Sequence, residues 1–188
     1  MALWLTSGTH RFLAKSNKNI ELRLGSWNIH SMHSKLENDN VLRWTLNHDI
    51  VFLYELRTNC PFSVPGFHVF TADDNRTGGT GVLISNALMN SVRKIDLSMN
   101  NLCWLELVDQ PELVILGCYF PPPDSPYYSP EIIAQLQNRI IHTGLKCLLV
   151  GDFNARCAVE PALVKLFLPQ WEQFGSTPNC LIMLTAQN

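Results

Sequence analysis

Cys147-Leu148-Leu149-Val150-Gly151-Asp152-Phe153-Asn154-Ala155-Arg156 is the stretch on which the reading of this chain turns. Its opening residues, mostly apolar, spell a buried strand. The strand runs into Gly151, after which an acid and an amide alternate with Phe153. In extended backbone Asp152 and Asn154 then share one side, with Phe153 on the other. A carboxylate and a carboxamide aimed at one point can take a proton from water and hold a phosphate oxygen. Gly-Asp and Asn-Ala are also ordinary turn material. Taken alone, the stretch favours the turn.

Other parts of the chain repeat the pattern. Leu22 to Ile29 reads as a strand with Asn28 at its C-terminal end. Asp49-Ile50-Val51-Phe52-Leu53-Tyr54-Glu55 is an apolar run that stops at a carboxylate. Leu102 to Val108 and Leu113 to Tyr119 form a hairpin across the turn Asp109-Gln110-Pro111-Glu112. Tyr119 ends that second strand, and Phe120-Pro121-Pro122-Pro123 stops the sheet. Asn28, Glu55, Tyr119, Asp152 and Asn154 therefore all sit at or just past the C-terminal end of an expected strand.

The connecting segments are less informative. Ser34 can cap a helix over about residues 35–47, with Val41 and Trp44 on one face. Phe67 to Ala72, Val82 to Ile84 and Val92 to Leu97 read as short strands. Residues 73–81 form a glycine-rich turn. No lysine follows as a phosphate-binding P-loop requires, and a strand follows instead of a helix. Ser129, Pro130 and Glu131 open a helix running to His142. Beyond Asn154 the pattern degrades into a short helix over Pro161 to Leu168 and a brief apolar run at Leu181 to Leu184. The expected organisation is a loose leader over 1–20, one domain over 21–156 and a divergent tail over 157–188.

Composition narrows the classes. The chain has 188 residues, 46% hydrophobic and 16% charged, which suits one folded domain and argues against disorder. A net charge of −2 excludes a generally basic nucleic-acid coat. Six cysteines without a CxxC pair argue against structural zinc and suit a reducing compartment. Cys103, Cys118 and Cys147 lie in apolar runs and read as small core residues. Asn75-Arg76-Thr77 is formally a glycosylation sequon, but Met1 to Leu5 is too short for a signal core. No run reaches membrane-spanning length. The expectation is a nuclear or cytoplasmic, non-secreted monomer.

The ordered set Trp27-Asn28, strand-Glu55, Tyr119-x-Pro121 and Gly151-Asp152-Phe153-Asn154 resembles the endonuclease/exonuclease/phosphatase superfamily over about residues 20–156. Asp49-Ile50-Val51-Phe52-Leu53, Gly66-Phe67-His68, Gly78-Gly79-Thr80-Gly81-Val82 and Gly151-Asp152-Phe153-Asn154-Ala155-Arg156 look most like the apurinic-type endonuclease domain of non-LTR, LINE-type retrotransposons. The resemblance implies a four-layered α/β sandwich, two packed mixed β-sheets flanked by helices, with the C-terminal strands missing or replaced. It implies nicking of DNA with Mg²⁺, Mn²⁺ being the alternative ion. Glu55 would hold the metal, with Asn28 beside it on the metal or the phosphate. Asp152 would orient and deprotonate water, Asn154 would fix Asp152 or the phosphate, and Tyr119 would donate to a non-bridging oxygen. Arg57, Arg76 and Arg156 are candidates for the DNA backbone, against the plainer reading of ordinary surface charge.

Three departures stand out. Tyr54 replaces the Gln usual before the acid. His30 stands where some relatives carry an acidic ligand. After Asp152 the chain has neither Asp nor His, whereas the family ends on a Ser-x-x-Asp strand and an Asp-His pair. Ser176-Thr177-Pro178-Asn179 could be a degenerate version, but a remnant, alternative splice end or deletion product fits better. The last strands would then be missing and an edge exposed. Two alternatives to a nicking enzyme follow. One is an impaired derivative that binds nucleic acid or protein, or does nothing. The other, less favoured, is a phosphatase acting on a phosphorylated lipid or inositol.

Overall fold

The structure, a computed structural model, describes residues 4–5, 10–15, 19–32, 35, 38–58, 60–72, 78–99, 101–122, 124–126, 128–152 and 180–184. In chain order these hold β1 (Trp4–Leu5), β2 (His10–Lys15), β3 (Asn19–Asn28), α1 (Asp39–Leu46), β4 (Ile50–Tyr54), β5 (Phe67–Ala72) and β6 (Thr80–Ser85). A 3₁₀ turn, Met89–Ser91, leads into β7 (Val92–Asp96), followed by β8 (Leu102–Leu107), β9 (Gln110–Tyr119), α2 (Pro130–Thr143), β10 (Lys146–Asp152) and β11 (Cys180–Leu184). One sheet has the order β1-β11-β10-β9-β8-β7 and the other β2-β3-β4-β6-β5.

The two-residue period of the strands builds the layers. Leu22 and Leu24, Ile50, Phe52 and Tyr54, and Val82 and Ile84 from one sheet share a core with Leu105, Ile115, Leu148 and Val150 of the other. The alternate residues Val51, Leu53 and Leu83 face the other way and pack with Leu42 and Trp44 of α1. Val114, Leu116, Cys147 and Leu149 pack with Leu136 and Ile140 of α2. The order α1, sheet, sheet, α2 is the expected four-layered sandwich. The sheets approach closely at Gly117, where an added Cβ would lie 2.2 Å from the Phe52 ring. Cys103, Cys118 and Cys147 are buried core residues, as their apolar surroundings in sequence indicate.

Several boundaries differ from expectation. The helix expected over 35–47 begins at Asp39, because the Asn38 side chain accepts the Asn40 N–H and caps it. Ser34 lies outside the described residues. β9 starts at Gln110, which pairs with Leu107 across a register shift, so Pro111 and Glu112 belong to the strand and not to the turn. Part of the expected leader is strand: β2 pairs antiparallel with β3 from His10↔Leu24 to Lys15↔Asn19. Without β2, that edge of β3 would present unpaired backbone groups. The edge expected to be bare beside β10 carries β11 in parallel register, Cys147↔Cys180 to Gly151↔Leu184, and β1 lies beyond it. The expected helix at 161–168 lies outside the described residues. No helix among the described residues is long and apolar enough to cross a membrane.

Candidate active site

The topology brings one end of each sheet together. β3 and β4 run parallel, with Asn28 opposite Tyr54 in the register. β9 and β10 run parallel, with Asp152 opposite Tyr119. Parity does the rest. Asn28 has the parity of the core residues Leu22 and Leu24, Tyr119 that of Ile115, and Asp152 that of Leu148 and Val150. All three side chains therefore enter the space between the sheets at its polar end. Such C-terminal strand ends are where α/β folds place their ligands.

Asn28 joins the two sheets. Its Nδ2 donates to Glu55 Oε1 at 2.8 Å and to Asp152 Oδ2 at 3.2 Å. Tyr119 Oη donates to the same Glu55 Oε1 at 2.7 Å. Glu55 Oε2 accepts from the Arg57 guanidinium and lies 3.0 Å from His30 Nδ1. Burial pushes the Glu55 carboxyl up. The hydrogen bonds from Asn28 and Tyr119 and the charges of His30 and Arg57 outweigh it, so the group stays below its usual range. Burial, then the bond to Glu55 and its charge, raise the Tyr119 phenol far above its usual range. Tyr119 is thus held as a neutral donor beside an ionised Glu55.

Local structure explains how the site is held. The N–H groups of Ile29, Ser31 and Met32 donate to the carbonyls of Tyr54, Glu55 and Leu56, which carries the β3–β4 pairing past the strands. Gly151 precedes the acid because a Cβ there would lie 1.9 Å from the Cys118 carbonyl oxygen. Any side chain would push β10 off β9 and move Asp152. Phe120 N–H donates to the Asp152 carbonyl at 2.9 Å and closes the end of that pairing.

Of the residues expected to form the site, Asn28, Glu55, Tyr119 and Asp152 come together. Asn154, Arg76 and Arg156 lie outside the described residues. Arg57, expected near a DNA backbone, spends its guanidinium on Glu55. Two contributors carried no site role in the sequence. His30 faces Glu55, and its backbone N–H donates to Asn28 Oδ1 at 3.3 Å. Tyr54, which stands where the family usually has Gln, is fully buried and stacks on Tyr119 at 5.9 Å between centroids. Its hydroxyl crosses between the sheets to the Val150 carbonyl at 3.1 Å.

The oxygen donors are the carboxylates of Glu55 and Asp152 and the amide oxygen of Asn28, with His30 Nδ1 beside Glu55 Oε2 at 3.0 Å. Among the described residues no group of three or more His, Cys, Asp or Glu could hold a metal ion by themselves. Such a set fits a hard ion like Mg²⁺, which binds one or two carboxylates and keeps several waters.

A two-sheet α/β sandwich with a carboxylate, amide and phenol cluster at its strand ends defines a class, and comparison places the chain in it. The profile of the Endonuclease/Exonuclease/phosphatase family matches residues 25–165. The chain belongs to that family, whose enzymes generally depend on a divalent metal. An AP endonuclease from Archaeoglobus fulgidus is similar in structure, with a TM-score of 0.50 and 17% identity, over 71% of this chain and 58% of that one. The catalytic domain of Xenopus laevis APE2 is similar with a TM-score of 0.51 and 16% identity, over 70% of this chain and 58% of that one. The chain thus spans less than two thirds of either structure, and at these identities the likeness concerns the fold. No curated protein sequence matches the chain significantly.

Proposed function

We propose that the chain hydrolyses phosphodiester bonds in DNA, nicking it endonucleolytically with Mg²⁺, or Mn²⁺ in its place, in the manner of LINE-type retrotransposon endonucleases. The observation that carries this is Asn28 Nδ2 bridging Glu55 and Asp152 from two different sheets. Two acids with separate tasks are thereby held at one point. The LINE-type branch rests on the local sequence around Glu55, Gly66, Gly78 and Asp152. DNA is the partner, the chain works as a monomer, and it acts in the nucleus or cytoplasm, away from membranes and not after secretion.

The roles follow from what each group can do. Glu55 and the Asn28 amide oxygen would hold the ion. A bound divalent ion supplies positive charge against the phosphate oxygens and lowers the pKa of water. Asp152, fixed by Asn28, orients the attacking water and takes its proton. Tyr119, kept protonated, donates to a non-bridging oxygen where charge grows in the transition state. Asn154 steadies Asp152 or the phosphate, and Arg76 and Arg156 meet the DNA backbone.

A second reading, a binding module without turnover, draws support from Glu55 itself, whose two oxygens are both filled by protein donors. Relaxation of supercoiled plasmid by the purified chain separates the two. Mg²⁺-dependent nicking that is lost in Asp152→Ala and in Glu55→Ala supports the endonuclease. Nicking that survives both substitutions rules out this site. A folded wild-type chain that never nicks leaves the binding module. Hydrolysis of an inositol phosphate in place of plasmid would move the substrate class to the family's phosphatases.

A further inference from the structure

The two oxygens of Glu55 are occupied by different kinds of partner. Oε1 is held by Asn28 and Tyr119, which are neutral and fixed in strands between the sheets. Oε2 is held by Arg57 and His30, whose side chains are 58% and 60% exposed while Glu55 is 8% exposed. One side of the carboxylate is therefore locked and the other is covered by groups free to swing into solvent.

The cover is built by unusual backbone. Among the described residues the non-glycine positions of positive φ are His30, Ser31, Glu55, Arg57 and Asn101. All but Asn101 belong to the two segments that leave β3 and β4. Their left-handed turns bring the His30 and Arg57 side chains back over Oε2 instead of onward into solvent. Such conformations are disfavoured for these residue types and persist only where the surroundings enforce them. The enforcement is visible. Arg57 N–H donates to the Gly78 carbonyl at 2.6 Å and Leu56 N–H to the Gly79 carbonyl at 3.3 Å. A Cβ on Gly78, whose φ is +85°, would lie 2.8 Å from Arg57 Cγ and 3.2 Å from Glu55 Cα. Gly78 is thus open to the Arg57 stem, and any larger residue would dislodge it.

We infer that Arg57 is a built-in counter-cation that closes the Oε2 side of Glu55 and must leave before Glu55 can ligate a divalent metal. This rests on Glu55 being the metal ligand, as in the proposed function. A guanidinium and a divalent ion repel each other and want the same lone pairs. The site therefore has two states, closed on Arg57 or open to metal, and substrate phosphate is the natural acceptor for the displaced guanidinium. A closed population of about nine in ten weakens apparent metal affinity about tenfold, since only the open fraction binds.

Mn²⁺ binding followed by electron paramagnetic resonance, at fixed pH and salt and without DNA, tests this on the full chain. Arg57→Ala and Arg57→Gln should each bind Mn²⁺ about tenfold tighter than wild type, and Arg57→Lys should stay within about threefold of it. Glu55→Gln should lose the tight site. Circular dichroism confirms the fold of each variant, and the exposed Arg57 side chain makes these substitutions mild. Unchanged or weaker binding in Arg57→Ala and Arg57→Gln, with binding still lost in Glu55→Gln, overturns the inference and leaves the proposed function standing. Binding indifferent to Glu55→Gln overturns both.

Discussion

Asn28 and Asp152 are 124 residues apart in the chain and belong to different sheets, yet Nδ2 of the one lies 3.2 Å from Oδ2 of the other. The second proton of the same amide goes to Glu55. One side chain thus donates to two buried carboxylates at once. Asn28→Ala takes one donor from each, and a hydrogen bond to a charged group contributes about 1.5–3 kcal/mol. Asn28→Asp should be worse, because a third carboxylate then faces the other two. Urea denaturation at neutral pH should show the midpoint falling in the order wild type, Asn28→Ala, Asn28→Asp. Equal midpoints would mean that the amide does not bridge the acids.

Tyr54 offers a milder case. Its ring stacks on Tyr119 and its hydroxyl reaches the Val150 carbonyl across the core. Tyr54→Phe keeps the ring and removes only the donor. The expected loss is about 1 kcal/mol, the usual net value of a hydrogen bond. It should appear as a lower urea midpoint with an unchanged slope, since the surface exposed on unfolding stays the same. A change of slope would point to a wider loosening between the sheets.

The strand ends were legible for a simple reason. An apolar run that stops at a polar residue is visible in sequence, and the two-residue period predicts which way that residue points. Asn28, Tyr119 and Asp152 follow that rule, and Glu55 follows directly after its strand. The four layers came from the family resemblance; the strand period by itself says only that Val51 and Phe52 face opposite ways. Partners that depend on packing between sheets were not legible. Tyr54 looks neutral until Val150 is placed across from it. His30 and Arg57 reach Glu55 through left-handed turns made by non-glycine residues, which carry no sequence signal. The pairing of β2 with β3 was missed because the sequence between Lys15 and Asn19 has no glycine to signal a tight turn.

Glu55 predicts an acid dependence. Burial raises its carboxyl, but the bonds from Asn28 and Tyr119 and the charges of His30 and Arg57 bring it below its ordinary value of 4.5. The folded state then holds this proton more weakly than the unfolded chain does. Its stabilising contribution is present above the unfolded value and is lost as pH falls through the lowered folded value. Asp49, Asp96 and Glu106 are lowered as well, and they contribute to the same limb. Glu55→Gln should therefore make the loss of stability below about pH 4.5 shallower without abolishing it. Urea midpoints from pH 7 down to pH 3 measure it. A limb as steep as wild type would mean that Glu55 is not held in its charged form.

Gly117 and Phe52 test the contact between the sheets. Gly117 lies in β9 two residues before Tyr119, and Phe52 lies in β4 three residues before Glu55. An added Cβ would sit 2.2 Å from one ring atom and 2.7 Å from another, far inside contact distance. Because Phe52 is fully buried, its ring has no solvent to move into. Gly117→Ala should therefore destabilise by about 1–3 kcal/mol, the usual range for overpacking. Phe52→Leu alone should also destabilise, by leaving a void. The double variant should recover part of the sum, because the smaller side chain makes room for the new methyl group. A double-mutant cycle in urea measures this coupling. Strict additivity would mean that the sheets do not meet at this pair. A favourable coupling would locate the seam that sets Tyr119 and Glu55 at hydrogen-bonding distance.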